Sequence, residues 1–170
     1  TVKNSLNGIY VLMYPNTISN SSGDIIVAGY VGRTNQMEDA DRIADMLCER
    51  YNAKCLPEVD RGNTVANFRK WGKLHRLSRN PLSIIEEKLN INTNADYGIT
   101  IGTGERKVDG LIYLKDWLYT QVSVNEETNE SVYILHYIKD IPLLTELLTY
   151  NSTGNFDRVS TMIVAMYQRL

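Results

Sequence analysis

The sequence has little sulfur and little imidazole: two cysteines and two histidines in 170 residues. That count excludes a disulfide scaffold, and Cys48 and Cys55 fall in apolar patterns that read as buried thiols of a reducing compartment. A Cys-His zinc set is excluded as well, because neither His75 nor His136 lies at metal-ligand spacing. Apolar runs are short. None approaches the ~18 residues that cross a bilayer, and the first eight residues lack the basic and apolar regions of a signal peptide. No Gly-x-x-x-x-Gly-Lys-Ser/Thr phosphate loop, Gly-x-Ser-x-Gly elbow or Cys-His pair occurs, so motor, serine-hydrolase and cysteine-nucleophile chemistries have no motif here.

What is present is enough apolar residue, 43%, to bury one core in a chain whose length suits a single domain over residues 1–170. Net charge is only -2, but it is unevenly spread. Arg61, Arg69, Lys70, Lys73, Arg76 and Arg79, with His75, fall in a stretch from Arg61 to Ile85 that holds no acid. Phe68 and Trp71 are interleaved with them. Such a stretch can grip a phosphate backbone, and it can equally be the wet face of a helix. The acids collect in Glu38 to Glu49 and in the loop Glu126 to Glu130.

Two β-rich runs, "NGIYVLMYP" and "GDIIVAGYVGR", flank the polar "NTISNSSG" and predict a hairpin with a long loop. Met37 to Tyr51 has the helical period, with Asn35 and Glu38 as its capping pair. "AKCL" predicts a short buried strand that stops at Pro57, which places Glu58 at the strand's C-terminal end. Helices are expected in "NTVANFRKWG", Glu105 to Tyr119, "IPLLTELLTY" and Phe156 to Leu170; "HRLS" and "VYILHYI" read as strands, and Asn80 to Tyr97 as irregular. A hairpin followed by alternating helix and strand makes an α/β domain with a mixed sheet.

The polar residues that stand out are carboxylates. Glu58, at a strand end, and Asp157, opening the last helix in "GNFDRVSTMIVAM", are the candidates for metal-dependent chemistry. Hard carboxylate oxygens suit two Mg²⁺ ions about 4 Å apart that hold an attacking water and a leaving oxygen in line. Asp157 also suits a helix dipole in the first turn, Glu58 a solvated turn, and Asp60 a turn before Gly62.

The runs "IIVAGYVGR", "CERYNAKCLPEVDRGN", "ADYGITIG", "KVDGLIYLKDWL" and "LLTELLTYNSTGNFDRVSTMIVA" occur in an order that resembles the C-terminal nuclease domain of tailed-phage terminase large subunits. The similarity is greatest to the branch called crAss-like. The resemblance implies an RNase H-like mixed sheet flanked by helices and a metal-dependent endonuclease using Mg²⁺ or Mn²⁺. Such a domain cuts concatemeric viral double-stranded DNA during genome packaging in the host-cell cytoplasm. It implies, as partners, an ATPase domain, a portal and a small terminase subunit. Glu58 and Asp157 match two of the family's metal-binding acids; Asp60 matches a secondary acid, and Lys107 a basic position near the site that contacts DNA phosphate. Arg61, Arg69, Lys70, Lys73 and Arg76 would add to the DNA grip. The first strand of the family's sheet, which bears its central aspartate, has no counterpart in this chain. Two outcomes are expected: a peptide of the same protein fills that slot, or the Ile9 strand closes directly on Ala53 to Leu56. The alternative function is a non-catalytic module that binds DNA or docks on the packaging machinery.

Overall fold

A computed structural model describes residues 6–14, 24–82, 97–102, 104–151 and 153–170, apart from the side chain of Arg61. The two β-rich runs form the expected hairpin. Strand β1 (Asn7–Met13) pairs antiparallel with β2 (Ile25–Gly32), from Asn7 opposite Gly32 to Met13 opposite Ile25, with an irregularity between Val11 and Leu12. Helix α1 (Met37–Tyr51) follows, and its cap sits one residue later than the sequence suggests. The Gln36 N–H donates to Asp39 Oδ2 at 3.2 Å, in place of the Asn35–Glu38 pair. Asn52 ends the helix in left-handed backbone, φ 48°, a conformation that asparagine tolerates better than most residues.

The chain then runs extended through Cys55 to Glu58, turns through a short 3-10 segment (Val59–Arg61), and enters α2 (Thr64–Lys70). Instead of a strand, "HRLS" forms a 3-10 turn (Leu74–Arg76) that delivers Leu77 to a single parallel bridge with Cys55. A second parallel bridge joins Glu58 to Ile99. Gly98 makes it possible. Its φ is 75°, and a Cβ there would lie 2.6 Å from the Pro57 carbonyl oxygen. Most of the expected irregular segment, 83–96, lies outside the described residues.

Helix α3 (Glu105–Leu118) leads into a second antiparallel pair, β3 (Gln121–Val124) with β4 (Ser131–Tyr133). "VYILHYI" is a strand only as far as Tyr133; Ile134–Tyr137 is a 3-10 turn. A continuous strand would put Ile134, His136 and Ile138 on one face. The turn instead buries both isoleucines and leaves His136 exposed, its Nδ1 accepting from the Tyr133 N–H at 3.0 Å. Helices α4 (Ile141–Thr149) and α5 (Asp157–Gln168) close the described chain. Asp140 caps α4 by accepting from the Leu143 N–H at 3.1 Å.

The architecture is therefore mixed α/β, with small antiparallel sheets, two parallel bridges and packed helices. The main core lies between α3, α4 and α5, where Trp117, Leu143, Met162 and Ile163 are almost wholly buried. Each such side chain contributes roughly 1.5–3 kcal/mol. Gly110 lets α3 approach α5, since a Cβ there would meet Ile163 Cγ2 at 2.5 Å. A smaller cluster of Ala44, Phe68 and Leu77 joins α1 to α2. No helix among the described residues is long and apolar enough to cross a membrane.

Candidate functional site

The Ile9 strand does not close on Ala53 to Leu56. Among the described residues β1 pairs with β2 alone, so its other edge has no partner strand. Between that edge and the segment 53–58 lies a trough of about 800 Å³, lined also by α1 and α5. Its opposite wall is extended chain rather than the short buried strand expected of "AKCL": 53–58 makes only the isolated parallel bridges at Cys55 and Glu58, and Lys54 is exposed. The Cys55 N–H donates to the Arg76 carbonyl and the Cys55 carbonyl accepts from the Ser78 N–H, both at 2.8 Å; Ile99 N–H donates to Pro57 O, also at 2.8 Å. Alternation along an extended chain then points the main-chain groups of Lys54 and Leu56 the other way, toward the trough. Neither residue makes a backbone hydrogen bond among the described residues.

Both principal acids line this trough. Asp157 is the first residue of α5, and its Oδ2 accepts from the Leu6 N–H at 2.7 Å and from Asn155 Nδ2 at 3.2 Å. The carboxylate thus ties the start of β1 to the positive end of a helix. From there β1 runs alongside α5 to Tyr14, whose hydroxyl donates to the Gln168 carbonyl at 3.1 Å. Beyond it, the Arg169 guanidinium pairs with the buried Asp24. Glu58 is half-buried, held in extended backbone between Pro57 and the 3-10 turn by the bridge to Ile99. Hard oxygen donors from two distant segments on one trough fit a divalent cation in ligand type. The count is short of a full set: no group of three or more His, Cys, Asp or Glu able to hold a metal occurs among the described residues.

Asp60 stands apart. It is exposed, does not line the trough, and accepts from Thr100 Oγ1 at 2.7 Å. Lys107 is half-buried in the first turn of α3.

The basic run carries less free charge than its sequence indicates. Lys73 Nζ and Arg76 Nη1 both bond the Asp45 carboxylate on α1, and Arg76 also reaches Glu49 at 3.4 Å. Burial pushes the Asp45 carboxyl up, but the hydrogen bonds and charges of Lys73 and Arg76 outweigh it and hold it below the ordinary value. Asp41, also buried on α1, accepts from Thr64 Oγ1 and Asn67 Nδ2, each at 2.7 Å. The acid-free stretch is therefore docked on the acids of the preceding helix. Arg69 and Lys70 remain exposed at the end of α2; the side chain of Arg61 lies outside the described residues.

A second polar network has no counterpart among the residues that the sequence singles out. Tyr10 donates to Asp140 Oδ2 at 2.6 Å, and Arg158 lies between Asp140 and Glu146, its Nη1 donating to Glu146 Oε1 at 3.0 Å. Glu146 Oε2 also accepts from the Arg158 and Val159 N–H groups, at 2.9 and 3.2 Å, and so caps α5 from α4. Burial and Asp140 push the Tyr10 hydroxyl far up, so it stays protonated as the donor. The only signal of this network in the sequence is three charged residues and a tyrosine amid apolar periods.

No protein-family model, curated protein or solved structure matches this chain.

Proposed function

We propose that this chain is the nuclease domain of a phage terminase large subunit. On this reading it is an RNase H-like domain that hydrolyses phosphodiesters of viral double-stranded DNA during packaging, with Mg²⁺ or Mn²⁺. The supporting observation is the trough: Glu58 and Asp157 reach it from distant parts of the chain, and it is bordered by the unpaired edge of β1 and by the extended segment 53–58. In an RNase H-like sheet a first strand lies between the equivalents of β1 and 53–58, and its aspartate would join these two acids. Glu58 and Asp157 would supply carboxylate oxygens to the metal, which when bound lowers the pKa of its water and offsets charge on the phosphate. Leu6 fixes the Asp157 rotamer through its N–H, and the Ile99 bridge fixes the backbone of Glu58. Arg69 and Lys70 would meet the DNA backbone.

A second reading, a module that binds DNA or docks on the packaging machinery without cutting, draws on the shortage of a third carboxylate among the described residues. Plasmid cleavage in Mn²⁺ separates the two. The 170-residue chain should nick feebly, and a version extended before Thr1 by a strand ending in aspartate should cut well and lose activity on Glu58→Ala. Robust cutting by both, untouched by Glu58→Ala, would end the proposal.

A further inference from the structure

Strand β2 is open along its outer edge. Among the described residues it pairs with β1 alone, and outside that ladder none of its main-chain groups makes a hydrogen bond. In an antiparallel pair, alternate residues turn both N–H and C=O away from the partner, so about half of Ile25–Gly32 presents unpaired groups on this edge. The regular part is Ala28–Gly32, because the irregularity opposite Val11 and Leu12 leaves Val27 without a facing residue. The strand, IIVAGYVG, carries no charge and no proline to keep another chain off.

A groove of about 340 Å³ lies beside this strand, lined by Ile26, Ala28, Val31, Lys139 and Arg158. Tyr10 sets its geometry. It faces Gly29 across the hairpin, where a Cβ would meet the ring at 2.9 Å, and its hydroxyl donates to Asp140 at 2.6 Å. The missing side chain lets the ring lie over β2, and the hydrogen bond draws the Lys139–Asp140 corner beside the strand. The acids here are already engaged: Asp140 accepts from Tyr10 and the Leu143 N–H, and Glu146 accepts from Arg158 and the Val159 N–H. The cations are not. Lys139 is exposed and makes no hydrogen bond or ion pair among the described residues. The Arg158 side chain bonds only Glu146, through Nη1; its Nε lies 3.9 Å from Asp140 Oδ2 and has no hydrogen-bond acceptor. Two cations with donors to spare thus stand beside an open strand edge.

We propose that the outer edge of β2 binds an extended acidic peptide of a partner protein by β-strand addition. Main-chain hydrogen bonds to the edge fix the peptide's register, and its side chains alternate between the two faces of the hairpin. Those on the Tyr10 face enter the groove, where a Glu or Asp carboxylate meets Lys139 and the Arg158 guanidinium. Charge decides between occupants. A second copy pairing through its own β2 would bring a second Lys139 and no carboxylate, because β2 holds none. A nucleic acid would answer the cations but not the unpaired main chain, which needs donors and acceptors in strand register.

The inference is independent of the nuclease reading, and its test needs neither metal nor DNA. The probe is a fluorescein-labelled heptapeptide that alternates valine and glutamate, titrated with the folded chain by anisotropy, and hydrogen exchange locates the contact. Saturable binding is expected, with new amide protection on β2, and Lys139→Glu should weaken it at least about tenfold. Lys139 is exposed, so this variant keeps the fold, which circular dichroism checks. N-methyl groups on one alternate set of peptide residues should abolish binding and on the other set spare it, as a one-edged ladder requires. No saturation below about 1 mM, protection confined to β1 and the trough, equal binding of a probe with lysine in place of glutamate, or indifference to Lys139→Glu would each overturn the proposal. So would a concentration-dependent dimer with β2 protected that the probe does not disperse, because a second copy would then hold the edge.

Discussion

Replacing Asp45 by alanine removes the carboxylate that holds the basic run against α1. Asp45 is 7% exposed and accepts from both Lys73 and Arg76. Deleting one partner of a buried pair costs about 3–5 kcal/mol when the survivor stays buried. Here the Lys73 side chain is 33% exposed and can hydrate. Arg76 is more enclosed, at 19%, but keeps Glu49 at 3.4 Å and the Asp45 main-chain oxygen at 3.3 Å. The expected loss is therefore smaller, about 2 kcal/mol, or roughly 4–8 °C in melting midpoint for a chain of this size. The pH dependence has a definite sign. A carboxyl whose native value is lowered stabilises fully above its unfolded value, about 3.9, and that stabilisation fades as pH falls through the native value. Urea denaturation of both proteins should show the full difference at neutral pH and a vanishing one in strong acid. A difference below about 0.5 kcal/mol at neutral pH, or one that persists unchanged in acid, would refute the ion-pair account.

Two further outcomes follow from other contacts. Glu146→Ala strips the cap from α5 and leaves Arg158 with Asp140 alone, at 3.9 Å, so a loss of about 2–3 kcal/mol is expected by chemical denaturation; an unchanged midpoint would show that water replaces the cap at no cost. Arg69→Glu with Lys70→Glu should weaken duplex binding and flatten the plot of log affinity against log salt by about 2, if each side chain neutralises one phosphate; an unaltered slope in a fluorescence-anisotropy titration would remove α2 from the DNA surface.

The helices were legible because burial imposes a period. Val159, Met162, Ile163 and Met166 recur at helical spacing and all lie in the core, so α5 needed no further information. The hairpin was legible from two apolar runs flanking a polar one. Short elements were not. The strand Gln121–Val124 has three of its four residues exposed, which leaves no apolar alternation to detect. Ile134 and Ile138 carry both a strand period and a helical one, and tertiary burial chose the turn. At the site, local sequence placed Glu58 at a strand end and Asp157 at a helix start, and the fold sets both on one trough. The pairing of Asp45 with Lys73 and Arg76 was invisible, because it links residues 28 and 31 positions apart and depends on how α1 packs against the turn after α2.

Manganese binding tests the central claim most directly. The free-ion electron paramagnetic resonance signal of Mn²⁺ is followed as protein is added, using the chain extended before Thr1 by a strand ending in aspartate. Saturable uptake is predicted, weakened at least about tenfold by Glu58→Ala or by Asp157→Asn, which keeps an acceptor for the Leu6 N–H. Equal uptake by the double variant, or no uptake by the extended chain itself, would contradict the assignment of Glu58 and Asp157 as metal ligands.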